Sequence, residues 1–399
     1  MSTVIPISKM AAAVQPSATL AAGAKARQLK AEGIHVFDFS LGEPDFPTPE
    51  HICQAAVKAM QHGHTHYTPA SGLSELRQEI ARRYQKTYGV TCTAEQVIVS
   101  NGAKHSIHNT LAATVGPGDE VIIPTPYWVS YSDLVEMTGA KAVLVRTTEE
   151  SGFKMTPSQL RGALGPRSRL LMLNSPCNPT GTVYTRRELE ALADVILTTD
   201  LAVLSDEIYE QLVFGDAKAT CFATLRPELA QRTITISGCS KTYAMTGWRM
   251  GWAVGPVDII KAMGNVQSQQ TGCPCSVSQA AALAALDGDQ GCVEVMRKEF
   301  EVRRDLVSQR LGAMPGITCP VADGAFYAFF NVSAHFGKAL GGRKVTDSVS
   351  FCQAALDAVH VNLVPGSAFG AEGYVRLSFA TSREEINDGM DQLEKLLKS

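Results

Sequence analysis

The sequence predicts an α/β protein built on a mostly parallel sheet, followed by a smaller α+β unit. Three observations carry that prediction. Six short apolar runs alternate with longer helix-patterned stretches between residues 97 and 236. Each run ends in polar or turn-forming residues, such as Ser100-Asn101-Gly102 and Ser205-Asp206-Glu207. After about residue 285 the texture changes to long charged helices and isolated strands.

Taken in chain order, the elements are as follows. Thr48-Pro49-Glu50 reads as an N-cap with proline at the first helical position. The apolar runs lie at 97–99, 121–123, 142–145, 170–173, 201–204 and 233–236. Such unbroken runs predict strands covered on both faces, hence parallel pairing with helices between them. Thr185 and Glu188 form a capping box ahead of Leu189, Leu192 and Val195. A charged helix around residues 293–311, the run GAFYAFFNV, a helix near 348–359 and VRLSFATS make up the second unit. A chain of 399 residues is long for a single core. The expected division is a large domain at 46–285 and a small one from 1–45 with 286–399.

Composition narrows the function. With 45% hydrophobic residues, 19% charged residues and a formal net charge of −3, the chain has no basic field for nucleic acid or an acidic membrane. A small-molecule ligand is the better expectation. Ten cysteines without a CxxC, the closest pair being Cys273-Pro274-Cys275, read as buried thiols in a reducing compartment. The N-terminal stretch lacks the features of a signal or transit peptide, and no apolar run approaches the ~18–20 residues that span a bilayer. These features predict a soluble, cytoplasmic protein.

In open parallel sheets, ligands sit at the carboxyl ends of the strands. The stretch SGCSKTYAMTGWRMGWAVG puts Lys241 at one such end among small residues. A lysine with room around it and a lowered pKa can form a Schiff base with an aldehyde cofactor such as pyridoxal phosphate. That cofactor needs an anion site and a carboxylate facing its ring nitrogen. Gly102-Ala103-Lys104, opening a helix, and Arg249 offer the first. Asp206 offers the second. Tyr209 and Asn178 suit the ring oxygen, and Trp128 offers a flat face for stacking. Singly, a tryptophan is core and an aspartate after a strand is a cap; their occurrence at successive strand ends argues for one site.

GEPDF, YTPASGLSELR, NSPCNPTG, SDEIYE, SKTYAMTGWRMGWAVG and VRLSFATS, in that order along the chain, resemble the class I/II pyridoxal-phosphate-dependent aminotransferases of fold type I. PSAT, GEPDF and PYWVSY point to the bacterial aspartate aminotransferase subgroup. The resemblance covers nearly the whole chain. It implies a seven-stranded, mostly parallel sheet in the large domain, and Lys241 as the Schiff-base residue and proton shuttle. It further implies a homodimer in which Tyr67 reaches the phosphate of the neighbouring subunit. Arg376 is implied to clamp the substrate α-carboxylate with Gly42, Trp128 and Asn178, and Lys104 with Thr19 to recognise a distal carboxylate. The implied reaction is amino transfer between aspartate and 2-oxoglutarate.

Further features qualify this picture. Relatives that accept prephenate carry a basic residue before PSAT, where this chain has Gln15. A carbon–sulfur lyase could use the same lysine, aspartate and arginine; a non-enzymatic regulator normally carries an additional DNA-binding module. Many relatives place a phosphate-binding serine three residues before the lysine, where Gly238 stands, leaving Ser237, Ser240 or backbone N–H groups alone to serve. His62, His64 and His66 alternate but lack companions for a metal site, and Gly247, Gly251 and Gly255 are expected to fit backbone closely beside the cofactor.

Overall fold

In the computed structural model, residues 5–14 and 18–398 are described, without the side chains of residues 9, 13 and 18–22. The chain opens with α1 (Lys9–Ala13), α2 (Ala18–Ala31), β1 (Phe37–Asp38), α3 (Glu50–Gln61) and α4 (Ser74–Tyr88). Strands and helices then alternate: β2 (Val97–Asn101), α5 (Ala103–Thr114), β3 (Glu120–Thr125), α6 (Ser130–Glu136), β4 (Lys141–Arg146), α7 (Pro157–Ala163), β5 (Ser168–Asn174) and α8 (Arg186–Ile196). Next come β6 (Ala202–Asp206), α9 (Pro227–Ala230), β7 (Thr233–Gly238), α10 (Cys239–Thr242), β8 (Met250–Val254), α11 (Val257–Gln270), α12 (Ser276–Asp287) and α13 (Gly291–Gly312). The remainder is β9 (Tyr327–Asn331), β10 (Ala339–Leu340), β11 (Arg343–Lys344), α14 (Ser348–Val359), β12 (Val361–Asn362), β13 (Val364–Pro365), β14 (Tyr374–Ser378) and α15 (Arg383–Lys398).

Seven strands form one sheet in the order β2-β8-β7-β6-β5-β3-β4. Only β8 runs against its neighbours. All six apolar runs fall in strands of this sheet, as their patterning predicts. The sequence of β8, MGWAV, carries Gly251, the middle one of the three stepped glycines, and it is the strand that the apolar patterning does not reveal. One run departs from expectation. Residues 142–145 lie in β4, an outermost strand, and Leu144 is 48% exposed rather than covered on both faces. The opposite edge strand, β2, has its outer backbone groups occupied. Val99 N donates to Ser71 O at 3.0 Å, Arg77 Nε to Val97 O at 2.8 Å and Gln267 Nε2 to Val99 O at 2.8 Å.

Alternate residues of each strand feed separate cores on the two faces. Val99 and Trp252 pack with Ile52, Leu76 and Ile80 of α3 and α4. Ile98 and Ala253 pack with Ile107, Leu111 and Met263 of α5 and α11. A further core gathers Phe300, Phe326, Phe330 and Phe351 around the antiparallel sheet β13-β14-β9, and Tyr209, Leu212 and Phe214 from the turn after β6 join it. Near the N-terminus, β1 pairs in parallel with β12, and Phe39 enters that same core. The two sheets thus meet along the turn after β6 and the segment after β1.

The Thr185–Glu188 capping box forms as predicted, with Thr185 N donating to Glu188 Oε2 at 2.7 Å. The reading of residues 48–50 needs correction. Pro49 itself occupies the N-cap of α3, and the Thr48 hydroxyl instead donates to Ala244 O at 2.7 Å. Among the described residues, no helix is long and apolar enough to cross a membrane.

Candidate active site

The carboxyl ends of β5, β6 and β7 lie side by side, with Asn174 opposite Asp206 and Asp206 opposite Ile236 in the ladder. A cavity of about 450 Å³ opens over them, between the two sheets. Lys241 enters it from α10, a single turn that follows β7 directly. Its Nζ donates to Gly42 O and lies 5.8 Å from the centroid of the Phe326 ring. Burial pulls the Lys241 ammonium down to about 8; Glu43 and Asp206 oppose the shift, and the Arg376 and Arg249 charges add to it. A lysine that gives up its proton near neutral pH is suited to nucleophilic and general-base work.

Asp206, 4% exposed, forms the floor. Tyr131, on α6, donates to Asp206 Oδ2 at 2.6 Å, and Ile208 N donates to Oδ1 at 3.2 Å. Burial pushes the carboxyl up to about 6, while those two donors and the Lys241 charge favour the ionised form. The result is a carboxylate that is poorly solvated yet mostly ionised at neutral pH, an environment that attracts a protonated ring nitrogen.

Cations collect at one end of the cavity. Arg249 takes a left-handed backbone conformation (φ +55°) and donates from Nη1 to Thr246 O at 2.9 Å. Its guanidinium covers Gly102, where an added Cβ would lie 2.5 Å from Nη2; Gly102 itself has φ +88°, a conformation that also favours glycine. Gly102 caps α5, so the first free N–H groups of that helix point toward the same end. Lys104 Nζ lies 4.8 Å from the centroid of the Trp128 ring. Burial lowers its pKa, and so does Arg249 beside it.

On the wall formed by the three-stranded sheet stands Arg376, 2% exposed. It donates from Nη1 to Asn178 Oδ1 at 2.9 Å and from Nη2 to Ser40 O at 2.7 Å. The Tyr327 and Phe369 rings flank the guanidinium at 4.5 and 5.0 Å. Its Nε is buried without a partner, a spare donor of the kind a carboxylate satisfies. Tyr209 and Tyr327 share a hydroxyl–hydroxyl bond of 2.8 Å, and Tyr327 Oη lies 2.9 Å from where a Cβ on Gly42 would sit.

Gly42, Ala103, Lys104, Trp128, Asn178, Asp206, Tyr209, Lys241, Arg249 and Arg376, widely separated in sequence, thus line one cavity. Gly102 adjoins it behind Arg249. Tyr67 does not line it and is 96% exposed. The side chain of Thr19 lies outside the described residues, as do Gln15 to Ser17. Sequence reading missed Tyr131, Asn174, Tyr327 and Glu43. The first three sit in apolar or turn contexts that read as core, and Glu43 carries no signal beyond its charge in GEPDF.

The Gly238 question has a steric answer. A Cβ there would lie 2.7 Å from Met250 O and 2.9 Å from Gly251 Cα, because β7 and β8 pair glycine to glycine. Gly251 in turn presses on the start of α5, its Cβ position 2.2 Å from Ala103 N. Ser240 lines the cavity, whereas the Ser237 hydroxyl bonds to Glu210 behind the sheet. Of the three stepped glycines only Gly251 packs backbone beside the cavity; Gly247 has open space around it and Gly255 meets Thr233 O at 3.3 Å. His62 ends α3 with Nδ1 2.7 Å from Lys58 O, and His64 and His66 are exposed. Among the described residues, no group of three or more His, Cys, Asp or Glu side chains is placed to hold a metal ion.

Comparison with known proteins identifies the family. Residues 34–393 match the family described as aminotransferase class I and II. An aspartate aminotransferase of Geobacillus stearothermophilus is 45% identical over 98% of this chain and 99% of its own length. An aspartate/prephenate aminotransferase of Cereibacter sphaeroides is 45% identical over 97% and 98%. The crystal structure of the aspartate aminotransferase from Rhizobium meliloti superposes with a TM-score of 0.96 at 41% identity, covering 99% of each chain.

Proposed function

Because the chain belongs to the class I and II aminotransferases, we propose that it moves the amino group of aspartate to 2-oxoglutarate in two alternating half-reactions, with pyridoxal 5′-phosphate as cofactor. The observation that carries this reading is the convergence of Lys241, Asp206, Arg249 and Arg376 on one cavity. The donor set fits the cofactor: an amine of low pKa for its aldehyde, a buried carboxylate for its ring nitrogen, and an arginine with a helix N-terminus for its phosphate.

The bound cofactor supplies an electron sink for the charge that develops when the substrate Cα loses its proton. The chain's residues do the rest. Lys241 Nζ would serve as the base that takes the substrate Cα proton and holds it for return, a task suited to a pKa of about 8. Asp206 holds a proton on the ring nitrogen. Asn178 has its carbonyl oxygen engaged by Arg376, which leaves its NH₂ to donate to the ring oxygen beside the Tyr209 hydroxyl. Trp128, on the cavity wall, would offer its flat face to the ring and keep water from it. Arg249, Gly102 and Ala103 grip the phosphate. Arg376 keeps its Nη1 bond to Asn178 and turns its spare Nε, with Nη2 released from Ser40 O, toward the α-carboxylate, helped by Gly42. Lys104, with Thr19, meets the distal carboxylate of a dicarboxylic substrate.

In this reading residues 46–285 form the large domain and residues 1–45 with 286–399 the small one, with substrate held between them. The protein works as a homodimer in the cytoplasm, and Tyr67 completes the phosphate site of its partner, consistent with its exposure outside its own cavity.

A panel of amino donors with 2-oxoglutarate, run on wild type and Lys241→Ala, tests the assignment. In wild type aspartate reacts with 2-oxoglutarate and glutamate reacts with oxaloacetate as acceptor, and Lys241→Ala loses both turnover and the absorbance of lysine-bound cofactor. Turnover without Lys241, or exclusive use of aromatic or neutral donors, overturns it. The Cereibacter sphaeroides relative's name makes prephenate the second acceptor to include.

A further inference from the structure

The loop that carries Tyr67 is solvent-facing at its tip and tightly held at its base. Gln279, 0% exposed on α12, accepts from Leu73 N at 2.7 Å and donates to Thr68 Oγ1 and Pro274 O, both at 2.9 Å. Gln267, 0% exposed on α11, donates to Ala70 O at 2.5 Å and to Val99 O at 2.8 Å. Its own oxygen accepts from Asn109 Nδ2 of α5 at 2.9 Å. Thr68 N donates to Cys273 Sγ at 3.4 Å, and the Ser276 hydroxyl to His64 O at 2.7 Å. Gly72, φ +97°, has no room for a side chain against Val99.

Burying a primary amide is costly unless its donors and acceptor are used. Here two buried amides direct bonds to Leu73 N, Thr68 Oγ1 and Ala70 O of the loop and tie them to Pro274, Val99 and Asn109 behind it, while Tyr67 itself makes no use of the shelter. A loop secured this way presents its aromatic tip in one direction with little entropy left to lose on docking. Through Asn109, the same clamp touches the helix whose N-terminus faces the chain's own cavity.

Resting on the shared-site reading above, we infer that Gln279 and Gln267 are positioning residues that fix the Tyr67 loop for insertion into the phosphate site of a second copy of this chain. Their effect is therefore exerted in the other subunit.

Hybrid dimers test this. One chain carries Lys241→Ala with an intact loop; the other carries Gln279→Met with Lys241 intact. The only lysine-bound cofactor then sits in the Gln279→Met chain and receives Tyr67 from its partner. Cofactor release after dilution, followed by the absorbance of the lysine-bound form, is the readout. The Gln279→Met homodimer is expected to release cofactor about tenfold faster than wild type, the worth of one well-placed hydrogen bond to phosphate. The hybrid is expected to return to the wild-type rate. A hybrid built with Tyr67→Phe in place of Gln279→Met separates the two layers of the argument. If it is rescued while the Gln279→Met hybrid stays fast, the clamp is wrong; if it is not rescued, the shared site is wrong. Thr68→Val, which leaves Gln279 its bonds to Leu73 and Pro274, provides a gentler variant. It should speed release in the homodimer, and a wild-type rate there overturns the clamp.

Discussion

Arg376 donates to Asn178 across 2.9 Å, and this one bond joins the middle strand of the three-stranded sheet to the loop that follows β5. The guanidinium is already oriented by Ser40 O and by two aromatic rings. A lysine in its place keeps the charge and loses the planar fork. Arg376→Lys should raise KM for both aspartate and 2-oxoglutarate about a hundredfold, the value of a lost bidentate, charge-assisted pair. Steady-state kinetics with each substrate varied in turn checks this, and an unchanged KM removes Arg376 from carboxylate binding.

Lys241 should be reactive at unusually low pH in the cofactor-free protein. Its folded pKa of about 8 lies below the ordinary 10.5, so labelling by reductive methylation should have its midpoint near pH 8. Glu43 holds the proton on, so Glu43→Gln should move the midpoint lower still. The linkage sign follows. The unfolded chain binds more protons between pH 8 and 10.5, so the destabilisation from this lysine is present in full below that window and fades as pH rises through it. Mass spectrometry of the labelled peptide across pH gives the midpoint directly.

Tyr131 tunes the acid behind the cofactor ring. Its hydroxyl stabilises ionised Asp206 against burial that already pushes the carboxyl up to about 6. Tyr131→Phe removes that donor and should raise the acid limb of the kcat/KM profile by about one pH unit. A limb that does not move means that Asp206 does not control it.

Gly238→Ser should not restore the phosphate-binding hydroxyl seen in many relatives. The new Cβ would press on Met250 O and Gly251 Cα, backbone atoms that cannot swing aside. The expected cost is about 1–3 kcal/mol of stability, typical of overpacking, with no gain in cofactor affinity. Denaturant unfolding together with cofactor titration separates the two effects.

Much of this was legible in the chain, because parallel strands buried on both faces must be apolar throughout. The six runs announced six strands, and the polar residues after them announced the cavity floor. Strand β8 was harder: Gly251 interrupts its strand pattern, and the glycine is there for Ala103, a contact that only the folded chain reveals. β4 misled for the opposite reason, since Leu144 is apolar yet half exposed at an edge. Tyr131 and Tyr327 were hidden because a buried tyrosine near an active site has the same local sequence as one in a core. Their hydroxyl partners, Asp206 and Tyr209, are 75 and 118 residues away.

The two rims of the large sheet are closed in different ways. At β4, Lys141 and Arg146 stand exposed at either end, charges that discourage another strand from adding. At β2, Ser71, Arg77 and Gln267 already occupy the outward backbone groups. One rim is occupied and the other is flanked by charge, so extending the sheet is a disfavoured way for a second copy to join. Helices and loops are the better surface for a lasting association, because their side chains can select a partner where bare backbone cannot.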